Sequence, residues 1–318
     1  MSRPEPDPSL QDEAARAGWL YYVGGLTQDQ IAAELGVSRQ RAQRLVSRAM
    51  AEGLIQVRLN HRLGVCLDLE AELCRRFGLS RARVSPGLGP GADPARAIAP
   101  AAAAELERVL RMSEPQVIAF GTGRALRAMA EQFTFADPVT HRIVSLLGNI
   151  APDGSATLYD VISRIAEKLN APYYPMPVPV ISDTPEEREF FMHLRPVRNV
   201  YNLARAADVT FVGIGQMGPD APLAVDGFVT PEALRELQSV GAVGEIGSWV
   251  FDAAGRYIDS PRNALVGGVR VEPGQTKPVI AVAAGPAKVP AIRAALIGRI
   301  VNGLVTDEAT AAALLRDI

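Results

Sequence analysis

Cysteine is nearly absent: Cys66 and Cys74 are the two in 318 residues, too few for a disulfide framework. They form one C-x7-C pair with no histidine cluster beside it, a poor metal site. Long apolar runs are missing as well. No stretch approaches the roughly 20 uninterrupted apolar residues that a membrane-spanning helix needs. Met1 to Pro8 carries acids and three prolines where a secretory signal would place basic residues and an apolar core, which points to a cytoplasmic protein. Charge of neither sign dominates: 33 Lys and Arg against 35 Asp and Glu leave a net charge of -2. The chain as a whole therefore lacks the basic balance that marks a nucleic-acid partner. Lysine is scarce, only Lys168, Lys277 and Lys288, so nearly all positive charge is arginine. What is present, 48% hydrophobic and 21% charged residues, suffices for a sizeable core, and the length bounds the chain at about two domains.

The first sixty residues depart from that average. Glu13 to Val23 has the apolar spacing of a helix that ends at Gly24-Gly25. Thr27, with Gln30 three residues on, writes a capping box ahead of Ile31, Ala32 and Leu35. Gly36 supplies a tight turn, and Ser38 caps a third helix running from Arg39 to about Glu52. In that helix Ala42, Leu45, Val46 and Ala49 form an inward stripe. Four arginines and no acid fall between Ser38 and Arg48, so the local field is positive. Arginine and glutamine bond guanine and adenine edges bidentately, whereas a hydroxyl and a helix N-terminus suit phosphate. The segment therefore predicts a helix-turn-helix with a recognition helix, its DNA contacts drawn from Thr27, Gln28, Ser38, Arg39, Gln40, Gln43, Arg44 and Arg48. Leu54 to Leu59 alternates as the strand of a wing.

From about His61 apolar runs alternate with amphipathic helices, the pattern of an α/β domain with a largely parallel sheet. Helices are expected over Cys66 to Phe77, Ala95 to Met112 and Arg124 to Phe133. Strands are expected at Val117 to Phe120, Arg142 to Leu147, Val209 to Ile214, Glu245 to Phe251 and Pro278 to Ala284. A strand entering Gly121-Thr122-Gly123 at a helix N-terminus presents free amides, a hydroxyl and a positive dipole end to an anion. Neither a Walker lysine nor a third glycine follows, which disfavours nucleotides. Ligands of open α/β sheets bind outside the carboxyl ends of the strands. A convergent site there would draw on Arg124 and Lys288 for an anion and on Asn149, Asp153, Glu245 and Asp252 for hydroxyls, with Gly148 and Gly213 in the loops. No metal or organic cofactor is implied.

The chain resembles the SorC-type sugar-binding transcriptional regulators over nearly its full length. The resemblance rests on LTQDQIAAELGVSRQRAQRLVSRAMAEGLIQVRL, FGTGRAL, ADVTFVGIGQMG, GAVGEIGSWVFDAAG and the closing VIAVAAGPAKVPAIRAALIGRIVNGLVTDEATAAALL. It implies residues 1–60 as a winged helix-turn-helix DNA-binding domain and 61–318 as a Rossmann-like effector domain related to sugar-phosphate isomerases. It also implies a repressor or activator of a carbohydrate operon, here expected to be a repressor. Its partners would be double-stranded operator DNA, a sugar, polyol or sugar-phosphate effector, and other copies of itself in a dimer or tetramer. Gly121, Thr122, Gly123 and Arg124 match the family's phosphate-contacting loop, Lys288 matches the lysine of its late glycine-rich loop, and Glu245 falls in its GEI segment. Some members carry lysine just before the glycine where this chain has Leu147-Gly148-Asn149, which speaks against covalent capture of an aldehyde. The resemblance implies a sensor, not an enzyme. The rival reading is an isomerase- or deaminase-like enzyme with a DNA-binding appendage, its base being Asp153, Glu245 or Asp252, with Lys288 as electrostatic partner. His141 and His193 have no evident carboxylate partner.

Overall fold

The computed structural model describes residues 8–55, 64–89, 91–135, 139–155 and 161–316. The chain divides into two compact units, Met1–Arg62 and Leu63–Ile318. The first holds α1 (Pro8–Tyr22), α2 (Gln28–Leu35) and α3 (Arg39–Ala51). Its boundaries are written in local chemistry. The hydroxyl of Thr27 accepts from Gln30 N while the Gln30 side chain accepts from Thr27 N, so both halves of the capping box form. Ser38 Oγ accepts from Arg41 N and starts α3. Ala42, Leu45, Val46 and Ala49 are buried with Ala14, Ala17 and Ile31 in a core that belongs to this unit. Helix α1 begins five residues ahead of the expected Glu13. Of the expected wing, Gln56 to Leu59 lie outside the described residues; Leu54 and Ile55 form no strand and donate their amides to Ala49 O.

The second unit runs α4 (Gly64–Phe77), β1 (Arg81–Ser85), α5 (Pro94–Leu110), β2 (Val117–Phe120), α6 (Arg124–Gln132), β3 (Arg142–Ile150), α7 (Val161–Leu169), β4 (Tyr173–Pro179), α8 (Pro185–His193), α9 (Arg195–Arg205), β5 (Val209–Val212), β6 (Gly215–Gln216), α10 (Pro222–Val225), α11 (Pro231–Ser239), β7 (Ala242–Ile246), β8 (Trp249–Asp252), α12 (Pro261–Leu265), β9 (Val279–Val282), α13 (Val289–Ile297), β10 (Gly303–Asp307) and α14 (Glu308–Arg316). Seven strands form a parallel sheet in the order β1-β10-β9-β5-β2-β3-β4, and β6-β7-β8 form a small antiparallel sheet. Strands β2, β5 and β9 are buried along their whole length because helices cover both faces. On β2, Ile118 and Phe120 pack with α5, α6 and α7, whereas Ala119 packs with α4, α9, α13 and α14. The connections leave β2 toward β3 and β4 on one side, then return to β5 on the other. A crevice opens where the order reverses, at the carboxyl ends of β2 and β5.

Three expectations from the sequence need revision. The run Glu245 to Phe251 is not one strand: Gly247 and Ser248 both take positive φ, 60° and 67°, and fold it into the β7-β8 hairpin. Strands β1, β4, β6 and β10 were not anticipated. Strand β4 carries Pro175, Pro177 and Pro179 on alternate residues and lies at the sheet edge, so the missing amides all face away from β3. Gly148 and Asn149 do not open a loop after β3 but continue it, and Gly148 N donates to Gly267 O. A side chain at Gly148 would collide with the backbone of Val178 and Pro179, so its glycine serves the close approach of β4.

Candidate functional sites

On the first unit, Ser38, Arg39, Gln40, Gln43 and Arg44 are exposed and Arg48 is half-buried, all on the outer face of α3. Gln40, Gln43, Arg44, Ser47 and Arg48 line a shallow depression along that face. The arginines are not equivalent. Arg39 pairs with Asp29 at 3.4 Å, Arg41 with Glu13 at 2.8 Å and Arg48 with Glu52 at 2.6 Å, whereas Arg44 has no ion-pair partner among the described residues. Thr27 and Gln28 sit at the start of α2, where Thr27 is occupied by its cap. The face that composition hides is therefore glutamine-rich with one uncommitted guanidinium, less basic than the bare count of arginines suggests.

On the second unit, a cavity of about 590 Å³ occupies the crevice. Three neighbouring strands deliver loops to it: β2 gives Thr122-Gly123-Arg124, β5 gives Gly213-Ile214-Gly215, and β9 gives Ala284-Gly285-Pro286-Ala287-Lys288. Gly123 and Gly285 both adopt φ near 120°, and neither following helix is capped by a side chain at its start. A residue with a Cβ resists that conformation. The amides beginning α6 are thus left to the cavity, where the helix dipole favours negative charge. Asp153, Gln216, Asp220, Asp226, Phe228, Glu245 and Ser248 complete the lining used below.

One pair of its charges is in contact. Arg124 Nη2 donates to Asp226 Oδ1 at 3.0 Å. Glu245 Oε2 accepts from Ser248 N at 2.7 Å. Burial pushes the Glu245 carboxyl up, against the pull of that amide and of the Lys288 and Arg262 charges. Burial likewise pulls Lys288 down, with Glu245 opposing. Behind them burial lowers Arg262 to about 10, again opposed by Glu245. Lys288 Nζ has no hydrogen-bond partner among the described residues. The other two lysines are engaged: Lys168 Nζ donates to the carbonyls of Ala130, Glu131 and Phe133, and Lys277 pairs with Asp208. Asp153 lines the cavity with its carboxylate held below its ordinary value by the Ser155 hydroxyl and amide.

The structure brings Thr122, Gly123, Arg124, Asp153, Gly213, Glu245 and Lys288 to one cavity and leaves four other expected residues out of its lining. Gly121 N donates to Phe211 O and belongs to the sheet. Gly148 and Asn149 lie within β3. Asp252 ends β8 and closes its own turn, accepting from Ala254 N and Arg256 N, so it is not poised as a base. Gln216, Asp220, Asp226 and Phe228 were missed. Their segment follows a two-residue strand, too short to show periodicity, although Arg124 needed a counter-charge and Asp226 is it. His141 is buried with Nδ1 accepting from Gln116 N and Nε2 bonded to Leu110 O; His193 bonds Glu189 O. Neither lines the cavity. Asp307 Oδ1 accepts from Thr310 N and caps α14.

A family model described as "Putative sugar-binding domain" matches residues 61–316, and a MarR-family model matches 17–61. The chain is 35% identical over 311 residues to the erythritol catabolism regulatory protein EryD of Brucella abortus, covering 98% of each. It is 34% identical to the transcriptional regulator LsrR of Klebsiella pneumoniae, over 96% of this chain and 93% of that one. Among solved structures, the full-length sorbitol operon regulator SorC of Klebsiella pneumoniae superposes with a TM-score of 0.72 at 26% identity, covering 98% of this chain and all of the other.

Proposed function

The chain belongs to the SorC family of sugar-binding transcriptional regulators, and from that premise we propose that it represses a carbohydrate or polyol catabolic operon in the cytoplasm, releasing operator DNA when effector fills the β2-β5-β9 cavity. It is a DNA-binding regulator with a sugar-binding domain. The finer assignments that follow are ours. The effector is a polyhydroxy compound with an anionic group. That group sits at the start of α6 with Arg124 and Lys288, and Asp220, Gln216 and Glu245 receive or give hydrogen bonds to the hydroxyls. One observation carries this reading: three adjacent strands end in glycine-containing loops at one cavity, and two of those loops bear its two cations. The erythritol named for the Brucella relative supports a short polyol or its phosphate as the ligand.

Control is thermodynamic. An effector weakens DNA binding only by its differential affinity for the two conformations, about 1–3 kcal/mol of coupling. The cavity acts as a sensor in this scheme and turns nothing over: His141, His193 and Asp252 are bonded elsewhere, and Asp153 and Glu245, which line it, are held by Ser155 and Ser248. Copies of the chain pair so that two α3 helices address half-sites a helical turn or multiples apart. Gel shift of the full-length protein on its own upstream DNA, challenged with free polyols and sugar phosphates, tests the reading. One class of compound releases the DNA. A shift that no compound changes rejects the sensor while sparing the DNA-binding role.

A further inference from the structure

Carboxylates outnumber cations in the cavity: Asp93, Asp153, Asp220, Asp226 and Glu245 line it against Arg124 and Lys288. An anionic ligand therefore enters a site whose own charge opposes it. Four of the five acids are held by neutral amide or hydroxyl donors. Asp93 accepts from Ala95 N at the start of α5, Asp153 is bonded by Ser155, Asp220 accepts from Gln216 Nε2, and Glu245 accepts from Ser248 N. Asp226 differs. Its carboxylate rests on Arg124, the first residue of α6, at 3.0 Å, and its side chain is only 12% exposed. An anion thus already stands on the guanidinium that an anionic ligand would need.

We infer that Asp226 is a resident competitor for the ligand's anionic group and sets how strongly, and for which charge class, the cavity responds. The inference rests on the proposed effector site. A neutral polyol can occupy the hydroxyl-binding side with the Arg124–Asp226 pair intact. A phosphate must take Arg124 from Asp226 and then tolerate that carboxylate as a like-charged neighbour. Asp226 also bears on Glu245, whose carboxyl its charge pushes further up, so the two acids and the two cations act as one electrostatic group. Asp226 immediately follows α10, between the cavity residues Leu223 and Phe228, and Leu223 is buried in the small core of this segment with Met217, Val229 and Leu234. Exchange of Asp226 for a ligand anion at Arg124 is therefore felt by the segment that packs beside the small sheet.

Asp226→Asn keeps a carbonyl oxygen for Arg124 and removes the charge, so it tests the idea without removing the contact. Isothermal titration of the full-length wild type and D226N with inorganic phosphate, and separately with erythritol as a neutral probe, gives the answer. Phosphate is expected to bind D226N about tenfold more tightly than wild type, within the usual range of coupling between charged groups in one site, while erythritol affinity moves by much less than that. Arg124→Gln in the D226N background should abolish the gain. Equal or weaker phosphate affinity in D226N overturns the competitor role and leaves the effector site standing. Phosphate binding to neither protein, with erythritol bound by both, overturns the competitor role together with the anionic ligand.

Discussion

Gly215 and Glu245 face each other across the β6-β7 pair, and the Glu245 carboxylate fills the space that a side chain on Gly215 would need. One residue's lack of a Cβ thus fixes where the Glu245 carboxylate stands. Gly215→Ala should fold, because the obstacle is the end of a flexible side chain, but it drives Glu245 off the Ser248 amide. The expected result is a roughly tenfold rise in the effector concentration needed to release DNA, of the order expected for one lost charge-assisted hydrogen bond. Titration in a gel shift measures it. In a Glu245→Ala background the same substitution should add nothing.

Glu245 makes the stability of the chain depend on pH in a definite direction. Burial lifts its carboxyl above the ordinary 4.5, so the folded chain holds that proton more tightly than the unfolded one. The stability this group supplies is complete below pH 4.5 and lost as pH rises through the raised value. Glu245→Gln has no such proton to lose. Thermal melts of the two proteins should coincide most closely near pH 4, with Gln gaining by a few degrees as pH increases to 7. A gap that narrows with rising pH would mean that Lys288 and Arg262 outweigh burial.

Lys288 presents the same conflict with the opposite charge. Burial disfavours its ammonium, and the Glu245 and Asp93 charges offset that only in part. Lys288→Met should therefore raise the melting temperature while abolishing the response to an anionic effector, with operator affinity unchanged. A functional group held at a cost in stability behaves this way. Calorimetry and the gel shift together check it; a Met variant that is both less stable and fully responsive would remove Lys288 from the site.

The arginines of α3 should separate by their existing partners. Arg44 has no ion pair to break among the described residues and stands with Gln43 on the outer face. Arg44→Ala or Gln43→Ala is expected to cost about 1–3 kcal/mol on the preferred operator and to relax preference at a single base pair. Arg39→Ala should weaken binding to all sequences alike and reduce its salt dependence. Fluorescence anisotropy on single-base operator variants at several salt concentrations distinguishes the two patterns.

How much of this was legible beforehand follows the range of the forces involved. Thr27, Gln30, Gly36 and Ser38 act within three residues of themselves, and the helices they bound were readable in the sequence. Strand β2 and the Thr122-Gly123-Arg124 loop were readable for the same reason. Strand β4 was not, because its three prolines argue against a strand until one knows that it lies at an edge. The hairpin was hidden because the apolar run Ile246 to Phe251 continues across Gly247 and Ser248, whose turn only backbone geometry reveals. Gly148 looked like a loop glycine and is a packing glycine. Asp226 escaped because its partner, Arg124, lies a hundred residues away.

Strand β1 pairs in parallel with β10, Ser85 lying opposite Asp307. The first strand of the sheet to leave the ribosome must therefore wait for the last before it gains its neighbour. The helix-turn-helix, which has its own core, needs no such delay. During synthesis the chain passes through a period in which its helix-turn-helix is complete while its sheet lacks an edge, and a truncation between that unit and Gly303 would make that period permanent. Such a fragment would be deaf to effector, yet free to occupy the operator.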